Sequence, residues 1–129
     1  MNKLHFILPF AFLALAFVGC TDSPAGAKVT GTVLLDGQPL ADATVTFYPV
    51  DGSRSSIGIT DAQGKYTLRF SASVYGAVVG DHTVDIRMDT EEGDSEAVEK
   101  VPARYNTKTE LKETLKSGSQ VVNFDLKTK

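Results

Sequence analysis

Two turn sequences divide residues 29–70, and they constrain the fold of this chain more than any other feature. Asp36-Gly37 suits a two-residue hairpin turn in which both residues adopt positive φ. Asp61 and Gly64 suit a type I turn that closes on a left-handed glycine. The segments between these turns alternate apolar and polar residues, which is the two-residue period of a half-buried β-strand. This stretch therefore predicts antiparallel strands, each with one apolar face.

The same alternation predicts which side chains face the core. The inward positions of the first two strands are Val29, Gly31, Val33, Ala43, Val45 and Phe47. Residues 80–88 form a further strand, whose inward positions are His82, Val84, Ile86 and Met88. Residues 111–115 and 122–126 are predicted to pair as a last hairpin around Ser117-Gly118, with Val122, Phe124 and Leu126 inward. Seven antiparallel strands result, and the predicted class is all-β because no segment has a sustained helical apolar period.

Length and charge limit the possible function classes. The chain has 129 residues, which suits one domain with a single sandwich core of roughly 110 residues after removal of a signal. Its formal net charge is −3 and no basic stripe is present, so nucleic acid is not an expected partner. The single cysteine excludes an internal disulfide.

A family resemblance rests on the two turn segments. Residues 29–47 follow V-x-G-x-V-x-x-D-G-x-P-L-x-x-A-x-V-x-F, and residues 60–68 follow T-D-x-x-G-x-Y-x-L. This pattern resembles the carboxypeptidase regulatory-like domain of the transthyretin-like (prealbumin-like) class, and Pro102 to Tyr105 resembles the segment before its last hairpin. The resemblance implies a Greek-key β-sandwich over residues 28–129 that serves as a structural or interaction module.

The N-terminus has the composition of a secretion signal. Lys3 precedes an apolar run from Phe6 to Val18, which spans about 13 residues and is shorter than the ~20 that a membrane-spanning helix needs. Pro9 further weakens a persistent helix. We expect residues 1–19 to be a cleaved signal peptide rather than an uncleaved anchor.

The end of this run resembles the lipobox of bacterial lipoproteins, Phe17-Val18-Gly19-Cys20, with Phe17 at a place where leucine is usual. The resemblance implies that Cys20 carries a diacylglyceryl group with acyl chains such as palmitate, and two or more chains hold a protein stably on a bilayer. Residues 20–27 are small and polar and predict a flexible tether. Thr21 favours the outer membrane over the cell membrane if the proteobacterial sorting rule applies. Either location is extracytoplasmic.

Catalytic chemistry is not expected from this composition. After the signal, His82 is the only histidine, so no histidine-based triad can form. Hydroxyisourate hydrolases of the transthyretin-like class need more than one histidine and end in Tyr-Arg-Gly-Ser, whereas this chain ends in Leu-Lys-Thr-Lys. Intradiol dioxygenases hold iron with two tyrosines and two histidines. We therefore predict a protein that is not an enzyme and has no cofactor, with His82 in the core.

Residues 89–99 form an acidic run of six carboxylates without apolar alternation. Carboxylates are the ligands that Ca²⁺ prefers, and the candidates are Asp89, Glu91, Glu92, Asp94 and Glu96. Their spacing differs from an EF-hand loop, and a charge run is more often a solvated loop that protects a sheet edge. We predict a solvated loop with no metal.

Two binding functions remain open. The first is an interaction module for an envelope protein, which an unpaired edge strand with few charges would favour. The alternative is a polysaccharide-binding module, whose stacking residues would be Tyr48, Tyr75 and Tyr105 because the chain has no tryptophan. A shared surface patch of these tyrosines would favour sugar. The remaining aromatic side chains expected in the core are Phe47, Tyr66, Phe70 and Phe124.

Overall fold

The computed structural model describes residues 25–88 and 101–129, which are built mainly from β-strands. Nine strands and one 3-10 turn (Ala103–Tyr105) are present in this part of the chain. The strands are β1 (Ala27–Leu35), β2 (Gln38–Pro39), β3 (Ala43–Pro49), β4 (Ser56–Ile59), β5 (Lys65–Thr67), β6 (Gly80–Met88), β7 (Lys112–Leu115), β8 (Gly118–Val121) and β9 (Phe124–Leu126).

The strands form two sheets. In the first sheet, β1 is central, with β2 and β5 antiparallel to it and β8 and β9 parallel to it. The second sheet has the order β4-β3-β6-β7 and is antiparallel throughout. The prediction of an all-β chain is confirmed.

The prediction of seven antiparallel strands was wrong in both number and direction. The described residues hold nine strands, and β8 and β9 run parallel to β1. Segments 111–115 and 122–126 do not form a hairpin, since β7 pairs with β6 in the second sheet while β9 joins the first. Gly118, with φ of 98°, lies where the chain passes between the sheets. This crossover lets the last strands run in the same direction as β1.

Both predicted turns are present. Asp36 and Gly37 have φ of 50° and 81°, which suits the tight hairpin that joins β1 to β2. In the second turn, the Asp61 carboxylate accepts hydrogen bonds from the backbone N–H groups of Gln63 and Lys65, and Gly64 has φ of 76°. The first turn sets the register of β1 with β2, and the second joins β4 of the second sheet to β5 of the first.

The core lies between the two sheets and follows the predicted alternation. Val45 and Phe47 of β3 are fully buried, as are Val84 and Ile86 of β6. The Phe47 ring meets the Phe124 ring of the opposite sheet edge-on, with centroids 6.1 Å apart. This contact joins the two faces of the sandwich.

The packed structure begins slightly before the expected boundary at Lys28. Strand β1 starts at Ala27, and both Ala25 and Ala27 are buried. The last residues assigned to the tether therefore belong to the packed domain. Within the described ranges, no helix is long and apolar enough to cross a membrane.

Candidate functional site

Two of the predicted features lie outside the described residues. These are the lipidation site Cys20, with its signal peptide, and the acidic run at 89–99. Both stay predictions. Among residues 25–88 and 101–129, no group of three or more histidine, cysteine, aspartate or glutamate side chains is placed to hold a metal ion.

His82 is buried in the core, as the alternation predicted. Its Nδ1 lies 2.9 Å from the carbonyl oxygen of Gly80, which can only accept, so Nδ1 carries the proton and donates. Its ring packs against Phe47 with centroids 5.7 Å apart. Nε2 is buried and has no hydrogen-bond partner in the described structure. This environment gives His82 a packing role.

The three candidate tyrosines are on separate elements with separate partners. Tyr48 projects from β3 with 48% of its surface exposed. Tyr75 is 46% exposed, lies under the Arg69 guanidinium at 4.4 Å from its ring centroid, and accepts a hydrogen bond from Arg69 on its hydroxyl. Tyr105 packs against the core and accepts a hydrogen bond from the Lys127 N–H, 3.1 Å away. Because the three tyrosines lie on different elements and have different partners, they do not form one stacking platform.

Phe70, which was expected in the core, is instead only partly buried at the surface. Residues 68–70 continue beyond β5 toward the second sheet, so the alternation of β5 no longer sets the direction of the Phe70 side chain. The Arg54 guanidinium lies 5.3 Å from its ring centroid. The prediction of a core position for Phe70 was wrong, and the side chain belongs to a surface groove.

This groove is a concavity of about 740 Å³ between β4 and β5, which we call the β4–β5 groove. The segment from Phe70 to Tyr75 borders the groove on a side that neither β4 nor β5 occupies. Its lining residues are Arg54, Ser55, Ile57, Gly58, Ile59, Asp61, Lys65, Thr67, Arg69, Phe70, Ser71, Ala72 and Tyr75.

The groove lies over the outward face of two segments that meet across the Asp61 turn. Ile57 of β4 exchanges both backbone hydrogen bonds with Arg69, at 2.9 Å each. Nearer the turn, the Asp61 N–H donates to the Lys65 carbonyl oxygen at 2.9 Å. No bridge joins Ile59 and Thr67 between these two points in the described structure. The outward side chains of both segments therefore line one surface.

Positive charge predominates in the lining. Three cationic side chains, Arg54, Lys65 and Arg69, lie there with a single carboxylate, Asp61. The Asp61 carboxylate is already used by its turn, where it accepts from two backbone N–H groups at 2.9 Å. The groove is thus locally cationic on a chain whose net charge is −3.

Sequence reasoning identified only Tyr75 among these residues. Arg54, Lys65 and Arg69 lie on two segments, and neither segment has a basic cluster that would mark a site. The available signal was weak: alternation places Lys65 and Arg69 on the outward side of one strand. Only the folded arrangement brings Arg54 to the same place.

Comparisons with protein-family models, with curated proteins and with solved structures find no match to this chain.

Proposed function

We propose that this chain is a lipoprotein without enzymatic activity that binds a protein of the cell envelope. Cys20 carries the lipid, a short tether follows, and the sandwich presents the binding surface. The fold is proposed to be a Greek-key variant of the transthyretin-like, carboxypeptidase regulatory-like class. The β4–β5 groove supports the binding role, because it combines exposed isoleucines with cationic groups.

The lipid anchor is tested by Cys20→Ala in the producing cell. The wild type is expected in the membrane fraction, and the variant is expected in a soluble or unprocessed form, because it lacks the acyl chains. Metabolic labelling with a palmitate analogue gives an independent measurement. Membrane retention of a signal-cleaved Cys20→Ala protein would contradict the lipoprotein proposal.

A second candidate function is binding of an envelope polysaccharide, still in the extracytoplasmic space. The observation that favours it is Tyr75, whose ring is 46% exposed and lines the groove together with Phe70. In-cell crosslinking followed by affinity capture separates the two functions. A reproducible envelope protein supports the first, and envelope glycan without protein supports the second.

A further inference from the structure

Two arginines of the β4–β5 groove are held in place by aromatic rings. The Arg54 guanidinium lies 5.3 Å from the Phe70 ring centroid, and that of Arg69 lies 4.4 Å from the Tyr75 centroid. Arg69 also donates a hydrogen bond to the Tyr75 hydroxyl. Stacking on a ring limits the motion of a guanidinium and leaves its other N–H groups free to bind a carboxylate. Both charges are therefore partly preorganised for an anionic ligand.

No carboxylate of the described structure forms an ion pair with these cations. The ion pairs there are Arg87–Asp85 and Lys127–Asp125, neither of which lies in the groove. Arg54, Lys65 and Arg69 thus lie in one concavity without an ion-pair partner from residues 25–88 and 101–129. Charge complementarity points to a ligand that carries carboxylates.

The same groove also exposes aliphatic surface. Ile57 and Ile59 are 46% and 66% exposed, and both line the groove. Ile57 and Arg69 are opposite each other in an antiparallel bridge, so their side chains lie on the same face. A ligand on that face meets methyl groups and cations together.

We propose that the β4–β5 groove binds an extended acidic peptide segment that also carries aliphatic residues. The peptide lies across the outward face of the groove, its aliphatic side chains contact Ile57 and Ile59, and its carboxylates bind Arg54 and Arg69. This assignment rests on the proposed function and specifies the chemistry of the partner.

Peptide explains the lining better than a sugar does. Carbohydrate recognition uses exposed aromatic faces, but Phe70 and Tyr75 each have one face under a guanidinium. The exposed isoleucines beside three cations instead suit a polypeptide, which can carry both aliphatic and acidic side chains.

The proposal is tested with fluorescein-labelled hexapeptides and the purified full-length protein, by fluorescence anisotropy. The probe is Glu-Val-Glu-Val-Glu-Val, and the matched control is Gln-Val-Gln-Val-Gln-Val, which keeps the backbone and the valines. We expect the Glu-Val peptide to bind at least ~10-fold more tightly than the control. Binding should weaken between ~50 and ~500 mM NaCl, because salt screens the exposed charges.

Variants locate the site. Arg69→Gln is expected to weaken binding of the Glu-Val peptide ~10-fold, and Ile59→Ser is expected to weaken it as well. The matched control is Arg104→Gln, because Arg104 also lies over a tyrosine ring, 4.8 Å from the Tyr105 centroid, but outside the groove. Its affinity should equal that of the wild type. Urea midpoints of all variants establish that each one is folded.

Three results would overturn the proposal: equal binding of the Gln-Val peptide, unchanged binding in folded Arg69→Gln, or binding of an oligogalacturonate with no binding of the Glu-Val peptide. The last result would assign the groove to an acidic glycan. The assay needs neither membrane nor cell, so failure of Cys20 lipidation leaves its result unchanged. Conversely, absence of peptide binding does not alter the fractionation of the lipid-anchored protein.

Discussion

At the residue scale, two neighbours on β3 show how the alternation determines stability. Phe47 is fully buried and contacts rings of both sheets, whereas Tyr48 is 48% exposed. Phe47→Ala should lower the free energy of unfolding by about 3–5 kcal/mol, because it leaves a cavity between the sheets. Tyr48→Ala is the control and should cost less than about 1 kcal/mol. Urea titration measures both, and equal losses would contradict the assignment of the β3 faces.

Glu113 is a half-buried carboxylate on the core side of β7, directly opposite His82 in the ladder with β6. Burial raises the pKa of Glu113 above its ordinary value of 4.5. Burial also raises the pKa of Tyr66, and the charge of Glu113 raises it further. When Glu113 is ionised, the protein therefore holds a carboxylate charge at a half-buried position, where desolvation disfavours that charge.

The pH dependence of stability follows from this raised pKa. Folding favours the protonated carboxyl of Glu113. The loss of stability that its charged form causes is therefore absent below pH 4.5 and grows as pH rises through the folded-state pKa. Glu113→Gln should therefore be more stable than the wild type at pH 7, by less than about 1 kcal/mol because water screens the carboxylate. This gain should disappear in acid.

Urea titrations at pH 4 and pH 7 make the comparison for Glu113→Gln. Glu110→Gln, at an exposed position nearby, serves as the control and should show no such pH-dependent gain. A gain from Glu113→Gln that is the same at both pH values would contradict a desolvated carboxylate.

Alternation predicted single side chains well wherever a strand stays in one sheet. Phe47, His82 and Phe124 are buried on the predicted faces. Phe70 is the exception, because the chain leaves β5 before reaching it and its environment depends on Arg54, which is distant in sequence. A local pattern contains no information about such a contact.

At the scale of elements, the contact between β1 and the segment joining β8 to β9 depends on Gly31. A Cβ at this position would lie 1.8 Å from the carbonyl oxygen of Val122. That oxygen also accepts a hydrogen bond from the Tyr66 hydroxyl at 2.5 Å, so the segment cannot move away freely. Only glycine lets these strands approach so closely.

Gly31→Ala should therefore destabilise the protein by about 1–3 kcal/mol or more, because it forces the last strands away from β1. Thr30→Ala, at the neighbouring exposed position, should cost less than about 1 kcal/mol. Thermal unfolding of the two variants measures the difference. Equal melting temperatures for Gly31→Ala and the wild type would show that the strands do not pack as described.

Strand pairing was predictable where a turn fixed it and not elsewhere. The Asp36-Gly37 turn joins adjacent strands, so its hairpin could be deduced from local chemistry. Segments 111–115 and 122–126 also alternate, but alternation predicts only which face of a strand is buried. It does not predict which strand pairs with it. Their partners, β6 and β1, depend on the packing of the whole sandwich.

At the scale of the whole molecule, the β4–β5 groove lies where one strand of each sheet meets the other across the Asp61 turn. The bridge between Ile57 and Arg69 ties the sheets together, and the cationic side chains lie in the groove beside it. Arg54 and Lys65 come to this site from opposite sides of the turn at Asp61. No sequence motif predicts the groove, because its residues share only their position in the folded chain.

The most direct test of the account is site-specific photo-crosslinking of the full-length protein in living cells. A photoreactive amino acid at Ile59 probes the groove, and one at Val121, which is 68% exposed on β8, is the control. We expect an adduct with a defined envelope protein from Ile59 and none from Val121. The Ile59 adduct should diminish in Arg69→Gln and persist in Arg104→Gln. Binding of a partner through the β4–β5 groove would be contradicted by the same adducts from both probes. It would also be contradicted by an Ile59 adduct whose yield is unchanged in Arg69→Gln.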